Sequence, residues 1–430
     1  MAQQPQPVPV APSVPIRLPP SLEFAPSVLA PVSGDTGDDS HGVGHGVIPE
    51  KQDDAQNEKD LGVLFKFKGT FSGFGFNTIF RPSSTATPSV QNVNTTDPDD
   101  NVLQLNLTSE TMTFSEPLGE VPNRGLGRQP DITLHGIPYT QTILDTSVLV
   151  KPPEKQPTIH FEPGLWMRVP ASTAVPKLQE SFARMASIPH GTTINAQCFR
   201  PAVTKNGAPE IPDVGITPVF LQNGQEFQFK NQSIDQNHTR RIPQDLTPFS
   251  EAGTITQEIL DNPNLVLRNA NQGKEIIENT TFTVSTDPKA AAGLGGGTSN
   301  IGFLIGSDLP NGKSSGNQPA NANAVRVTAT YWISTVRTQI RLDPSLSVCD
   351  NEKAPKTVSP EASNPRDAVP KFIVDVEVTK EQTVPVEYTQ IQYSQEVALD
   401  FNGLGWPHVT VATLAPTNLS LGSIKGLNIQ

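Results

Sequence analysis

Apolar and polar residues alternate in short runs from about Leu61 almost to the C-terminus. Examples are Val102-Leu-Gln-Leu-Asn-Leu, Thr158-Ile-His-Phe, Leu165-Trp-Met-Arg-Val, Val325-Arg-Val-Thr-Ala-Thr-Tyr-Trp-Ile, Ile391-Gln-Tyr-Ser-Gln-Glu-Val-Ala-Leu and His408-Val-Thr-Val-Ala-Thr-Leu. A period of two marks strands with one wet and one dry face. Val63-Leu-Phe-Lys-Phe, Thr111-Met-Thr-Phe, Thr193-Ile-Asn-Ala, Phe282-Thr-Val and Phe372-Ile-Val-Asp-Val read the same way. Turn text separates the runs, including Asn206-Gly, Asn223-Gly, Asn311-Gly and Asn402-Gly. Helical spacing is confined to Lys177–Met185, Thr254–Asp261 and Pro263–Asn271. The expected fold is mainly β: a single closed or nearly closed antiparallel β-barrel with long loop insertions and a few short helices.

Residues 1–60 lack this pattern. Pro-rich text passes into Gly/Asp/His text and a charged run, which cannot bury enough apolar surface to offset ordering. The expected organisation is a tail at 1–60, a barrel domain at 61–420 and a C-terminal tail at 421–430. His41 and His45 have only Asp38 and Asp39 nearby, a thin basis for a metal site.

Composition agrees. The 42 prolines and 32 glycines suit many turns, and 17% charged residues leave little for solvated helices. A net charge of −12 without a basic run argues against a nucleic-acid surface. No 18-residue apolar run exists to form a membrane-spanning helix. The opening Met1-Ala-Gln-Gln-Pro has no secretory pattern, so a cytoplasmic location is expected. Cys198 and Cys349 make no disulfide framework, although a single bridge stays open. No Gly-x-Ser-x-Gly elbow, HExxH, Walker or Cys-x-x-Cys pattern points to a hydrolase, zinc protease or nucleotide enzyme.

Four passages carry candidate chemistry. Gly69-Thr-Phe-Ser-Gly-Phe-Gly75 marks a bend or close backbone approach in a strand. In His160-Phe-Glu-Pro-Gly164, His160 and Glu162 share a strand face, suited to metal binding or to a polar network. His190 stands in a tight turn beside Gly191. In Trp406-Pro-His408, the proline should fix the chain so that His408 opens a strand, with Thr410 and Ala412 on its side. Each has a plainer reading: a hydrogen-bonded His408, a His160–Glu162 pair within a barrel wall, a turn histidine, and Phe71, Trp166 and Trp406 as core or rim packing.

In this order the passages resemble the nitrobindin-like haem-binding β-barrels, relatives of the calycins. Gly69–Gly75 stands for that family's G-T-W-x-G-x-G strand, with Phe71 for Trp, and His160, Glu162, Gly164 and Leu165 match its H-x-E-x-G-[FLY] strand. Met185 through Gly191 resembles the strand that follows, and Pro407-His408 matches the last motif. The resemblance implies haem with His408 as the iron ligand, and His160, Glu162, His190, Phe71, Trp166 and Trp406 around it. It implies chemistry on nitric oxide or peroxynitrite; action on peroxide would call for a distal His and Arg, for which His190 and Arg168 are the candidates. The family's barrels are much shorter, so 200–260, 285–325 and 340–385 would be insertions that cap the mouth, form contacts between copies or rebuild the pocket. A metal-free barrel for a lipid or other apolar molecule, and a structural or assembly protein that forms homo-oligomers, remain the alternatives.

Overall fold

In the computed structural model, the residues described are 54–83, 101–148, 155–172, 177, 179–188, 191–198, 200–287, 296–300, 323–346, 356–401, 404–424 and 429. Ten antiparallel strands close into a barrel. In chain order they are β1 (Gly69–Pro82), β2 (Asn101–Phe114), β3 (Ile132–Asp145), β4 (Thr158–Val169), β5 (Ser181–Ile188), β6 (Thr192–Cys198), β7 (Glu275–Ser285), β8 (Asn323–Leu342), β9 (Gln382–Phe401) and β10 (Leu404–Pro416). Pairing follows sequence from β3 to β10. It closes through β10–β1 (Thr410 opposite Asn77), β1–β2 (Asn77 opposite Asn106) and β2–β3 (Met112 opposite Gln141). Every central edge is therefore hydrogen-bonded.

Gly75 shows why β1 carries glycine. A Cβ there would lie 2.1 Å from the Val411 carbonyl oxygen and 2.9 Å from both Ala412 Cβ and Thr108 Oγ1. Two flanking strands thus crowd one position. Gly75→Ala is expected to cost about 1–3 kcal/mol as an overpacking change, read from the urea midpoint; an unshifted midpoint would show that β10 gives way freely.

One end of the barrel is filled. The helix α1 (Asp54–Leu61) and the 3-10 turn Gly62–Lys66 bring Leu61, Leu64 and Phe67 against the inner face. Phe67 stacks on Phe114 at 4.7 Å and meets Trp166 edge-on at 5.8 Å. Trp166 in turn meets Tyr331, which stacks on Phe282. Two expectations change here. Val63–Phe67 is not a strand, because its apolar residues fill the barrel end rather than extend its wall. Residues 54–60 are helical, although they fall in the segment read as tail. At the other terminus Leu421 is buried in a 3-10 turn.

The outer face of β1, β2 and β10 is also covered. Phe76, Phe80, Leu103, Leu105, Leu107, Val409 and Val411 pack against Ile211, Ile216 and Leu246. They also meet residues from α3 (Gln257–Asp261) and α4 (Leu265–Ala270), which follow the short helix α2 (Thr247–Glu251). The helices expected at 254–261 and 263–271 are α3 and α4. The one expected over Lys177–Met185 is overturned: Ser181 onward is β5, paired with both β4 and β6. A small sheet of Thr357–Val358, Phe372–Ile373 and Leu419–Ser420 belongs to a separate apolar cluster with Val336, Ile340, Val384 and Val386. Among the described residues, no helix is long and apolar enough to cross a membrane.

Candidate functional site

Inside the barrel, above the aromatic end, lies a layer of buried polar groups. Arg184 on β5 is 2% exposed and Glu162 on β4 is 0% exposed, and Arg184 Nη2 donates to Glu162 Oε1 at 2.6 Å. The same guanidinium donates through Nε to Tyr139 Oη at 2.8 Å and through Nη1 to Gln395 Oε1 at 2.6 Å. The Tyr139 hydroxyl also donates to Glu162. Gly164 permits this placement, since a Cβ there would lie 2.5 Å from the Tyr139 ring. Burial alone would raise the Glu162 pKa, but the Arg184 charge, His160 and the Tyr139 hydroxyl hold it below the usual carboxylate range.

A second carboxyl lies across the same layer. Glu110 on β2 is 2% exposed and accepts from Tyr393 Oη at 2.6 Å, Gln141 Nε2 at 3.2 Å and Thr108 Oγ1 at 3.1 Å. Burial pushes its pKa up to about 7, because these hydrogen bonds only partly offset the lost solvation.

Beyond this layer the interior opens into a cavity of about 260 Å³. Its floor includes Gln141, Tyr393, Gln395 and Thr410, and its walls are largely apolar: Ile79, Ile143, Ile159, Ile188, Val397 and Leu399. His160, His408, Asn77, Arg81, Thr192 and Asn300 add polar atoms. The barrel is thus packed at one end and hollow at the other, with the buried ionic layer between.

The structure brings together three of the residues singled out in the sequence. His408 and His160 line the cavity, and Glu162 lies directly behind His160, with His160 Nε2 3.2 Å from Glu162 Oε2. His408 does not open its strand. β10 begins at Leu404, while its pairing with β1 starts at His408, so Pro407 precedes the ladder on that side. Thr410 does share the histidine's face, and Ala412 follows it into the packed core. Phe71 and Trp166 belong to the aromatic end, and Trp406 to the outer cluster beside Phe80 and Phe229. Arg168 is at the plugged end, donating to the Lys59 and Asp60 carbonyls and pairing with Glu180. His190, His41, His45 and Cys349 lie outside the described residues. Cys198 is a buried free thiol.

His408 Nε2 lies 2.8 Å from Asn77 Nδ2. Asn106 Nδ2 donates to Asn77 Oδ1 at 3.0 Å, which fixes the Asn77 amide with its N–H groups toward His408 and Thr410. The lone pair on Nε2 is therefore occupied by a hydrogen bond. As arranged, these residues do not fit an axial iron ligand through that nitrogen. No cluster of three or more His, Cys, Asp or Glu side chains able to hold a metal ion occurs among the described residues.

Fold and site together define a closed ten-stranded antiparallel β-barrel with long connections between some of its strands and a cavity at one end. No family model matches the chain, and neither a curated protein nor a solved structure does.

Tyr139, Gln141, Glu110, Arg184 and Gln395 do not stand out in the sequence, whereas Tyr393 lies on the strand that precedes Pro407-His408 and shares in the family resemblance. Tyr139 and Gln141 lie on β3, a strand absent from the sequence reading, where Gly136 and Pro138 interrupt the alternation.

Proposed function

We propose that this protein binds a small, largely apolar molecule inside the hollow end of its barrel. One observation carries the reading. Among the described residues the interior is closed by aromatic packing at one end, while the other end keeps a cavity of about 260 Å³ with isoleucine, valine and leucine walls. Enclosed, mainly apolar walls with a few convergent polar groups are the usual form of a small-molecule site. At this volume the occupant is compact, slightly below the roughly 300–1,000 Å³ of drug-sized ligand sites.

A neutral naphthylamine dye should bind the purified protein one to one, with a blue-shifted emission. Val397→Phe, which adds a ring to the cavity wall, should weaken the dye at least about tenfold, the effect of about 1.4 kcal/mol. Far-UV circular dichroism should stay unchanged. Failure of the wild-type protein to take up any apolar probe would remove the reading.

Haem is the narrower form of the same reading. It rests on the resemblance of Pro407-His408 to a haem-binding motif and on the position of His408 in the cavity wall. It requires the imidazole to exchange Asn77 for iron and the cavity to widen well beyond its present volume of about 260 Å³. Adding hemin discriminates: a Soret band that disappears in His408→Ala would establish haem, and its absence leaves the metal-free ligand.

A further inference from the structure

The polar floor of the cavity has a fixed polarity. Gln395 Oε1 accepts from Arg184, a side chain that can only donate, so Gln395 Nε2 must point elsewhere. Gln141 Nε2 donates to the Glu110 carboxylate and to Tyr393 Oη, so Gln141 Oε1 is turned away from both. Neither Gln395 Nε2 nor Gln141 Oε1 has a hydrogen-bond partner among the described residues, and neither amide can flip without setting like against like. Both residues are more than nine-tenths buried, at 8% and 4% exposed, and both line the cavity. The floor therefore offers one donor and one acceptor held in place by groups behind them.

Charge narrows the choice. Arg184 is balanced by Glu162. Glu110, behind Gln141 and Tyr393, has no cation bonded to it among the described residues, and it faces Thr108 on its own strand, Gln141 on β3, Tyr393 on β9 and, more distantly, His160 on β4. A carboxylate head would meet a carboxyl of the same sign and a Gln141 oxygen that can only accept. An alkane would leave both amide atoms unmet at the floor, at the cost of two hydrogen bonds.

We propose that the cavity selects an apolar molecule with a neutral head that both accepts and donates a hydrogen bond, a primary amide or an alcohol, held by Gln395 Nε2 and Gln141 Oε1. This rests on the small-molecule reading above and adds the identity of the head group. The head lies deep, on the floor, and the apolar body faces the isoleucine walls. Arg81, which also lines the cavity, is the group that a carboxylate would seek instead.

The test is competition for the dye by octanamide, octanol, octanoate and octane at about pH 8, where octanoate is ionised. Octanamide and octanol should displace the dye at least about tenfold better than octane or octanoate, as expected of two net hydrogen bonds. Gln395→Glu keeps an acceptor for Arg184 and replaces the free donor with an oxygen. With each competitor measured against the variant's own dye affinity, the preference for octanamide over octane should fall to within about threefold, half or less of that free-energy difference.

Equal displacement by all four, or a preference that survives in Gln395→Glu, overturns the head-group assignment and leaves the cavity reading intact. Preference for octanoate that is lost in Arg81→Gln overturns it in favour of an anion held by Arg81. A wild-type protein that binds neither the dye nor any of the four overturns both readings.

Discussion

Arg184→Met should destabilise the barrel by about 3–5 kcal/mol at neutral pH, the typical cost of removing one partner from a buried ion pair. The Glu162 carboxylate would keep His160 and Tyr139 but lose the Arg184 cation bonded to it. Tyr139 Oη and Gln395 Oε1 would lose their donors in the same change. The pH dependence has a definite sign. In the native protein the Glu162 pKa is depressed, so its contribution is present above the ordinary carboxylate pKa and is lost as pH falls through the lower folded value. Without Arg184, burial raises that pKa, and protonation relieves the unpaired charge. The penalty should therefore be smaller at about pH 5 than at about pH 8. Urea unfolding at both values measures it. The double variant Arg184→Met/Glu162→Leu should recover part of the loss, because removing both charges avoids the unpaired one. A single variant within about 1 kcal/mol of wild type, the worth of an exposed pair, would mean that the layer is wet.

That layer was hardly legible in the sequence, and β2 shows why. Leu103, Leu105 and Leu107 alternate with Gln104, Asn106 and Thr108, so a period of two predicts a strand correctly. It does not say which face is inside. Here the leucines face outward onto the segment between β6 and β7 that carries α3 and α4, while Asn106, Thr108 and Glu110 enter the interior networks. The pattern inverts because the outer face is covered. Ile211, Ile216, Leu246, Ile255, Ile259, Leu260 and Leu267 form an apolar set within that segment that needs an apolar partner, and that set is the available clue. Turn chemistry transferred well: Asn206-Gly207 and Asn223-Gly224 both place glycine at positive φ. β3 was hidden because Pro138 argues against a central strand, yet it pairs with both β2 and β4. His408 and His160, which line the cavity, stand out in the sequence as imidazoles near an apolar run. Gln395 does not, since a glutamine in alternating text looks like a solvated residue until its neighbours are known.

Glu110→Gln should make the protein more stable than wild type as pH rises from about 5 to 8. A carboxyl raised from 4.5 to about 7 holds its proton in the folded state where the unfolded chain has released it. The native state then binds more protons across that window, so wild-type stability falls as pH rises and levels off above the folded pKa. The whole shift corresponds to about 3 kcal/mol. Glutamine cannot ionise, and its amide can still meet Tyr393, Gln141 and Thr108, the groups now around Glu110. The gap between variant and wild type should therefore open by up to about 3 kcal/mol across the window. Other groups do not imitate this. The Glu162 pKa is depressed, so its own window lies below that of an ordinary carboxylate. His238, lowered by burial, acts in the opposite direction and is common to both proteins. Lys274, lowered by burial to about 8, matters mainly above that pH. Unfolding curves for the two proteins that stay parallel from about pH 5 to 8 would show that water reaches Glu110 and that burial does not raise its pKa.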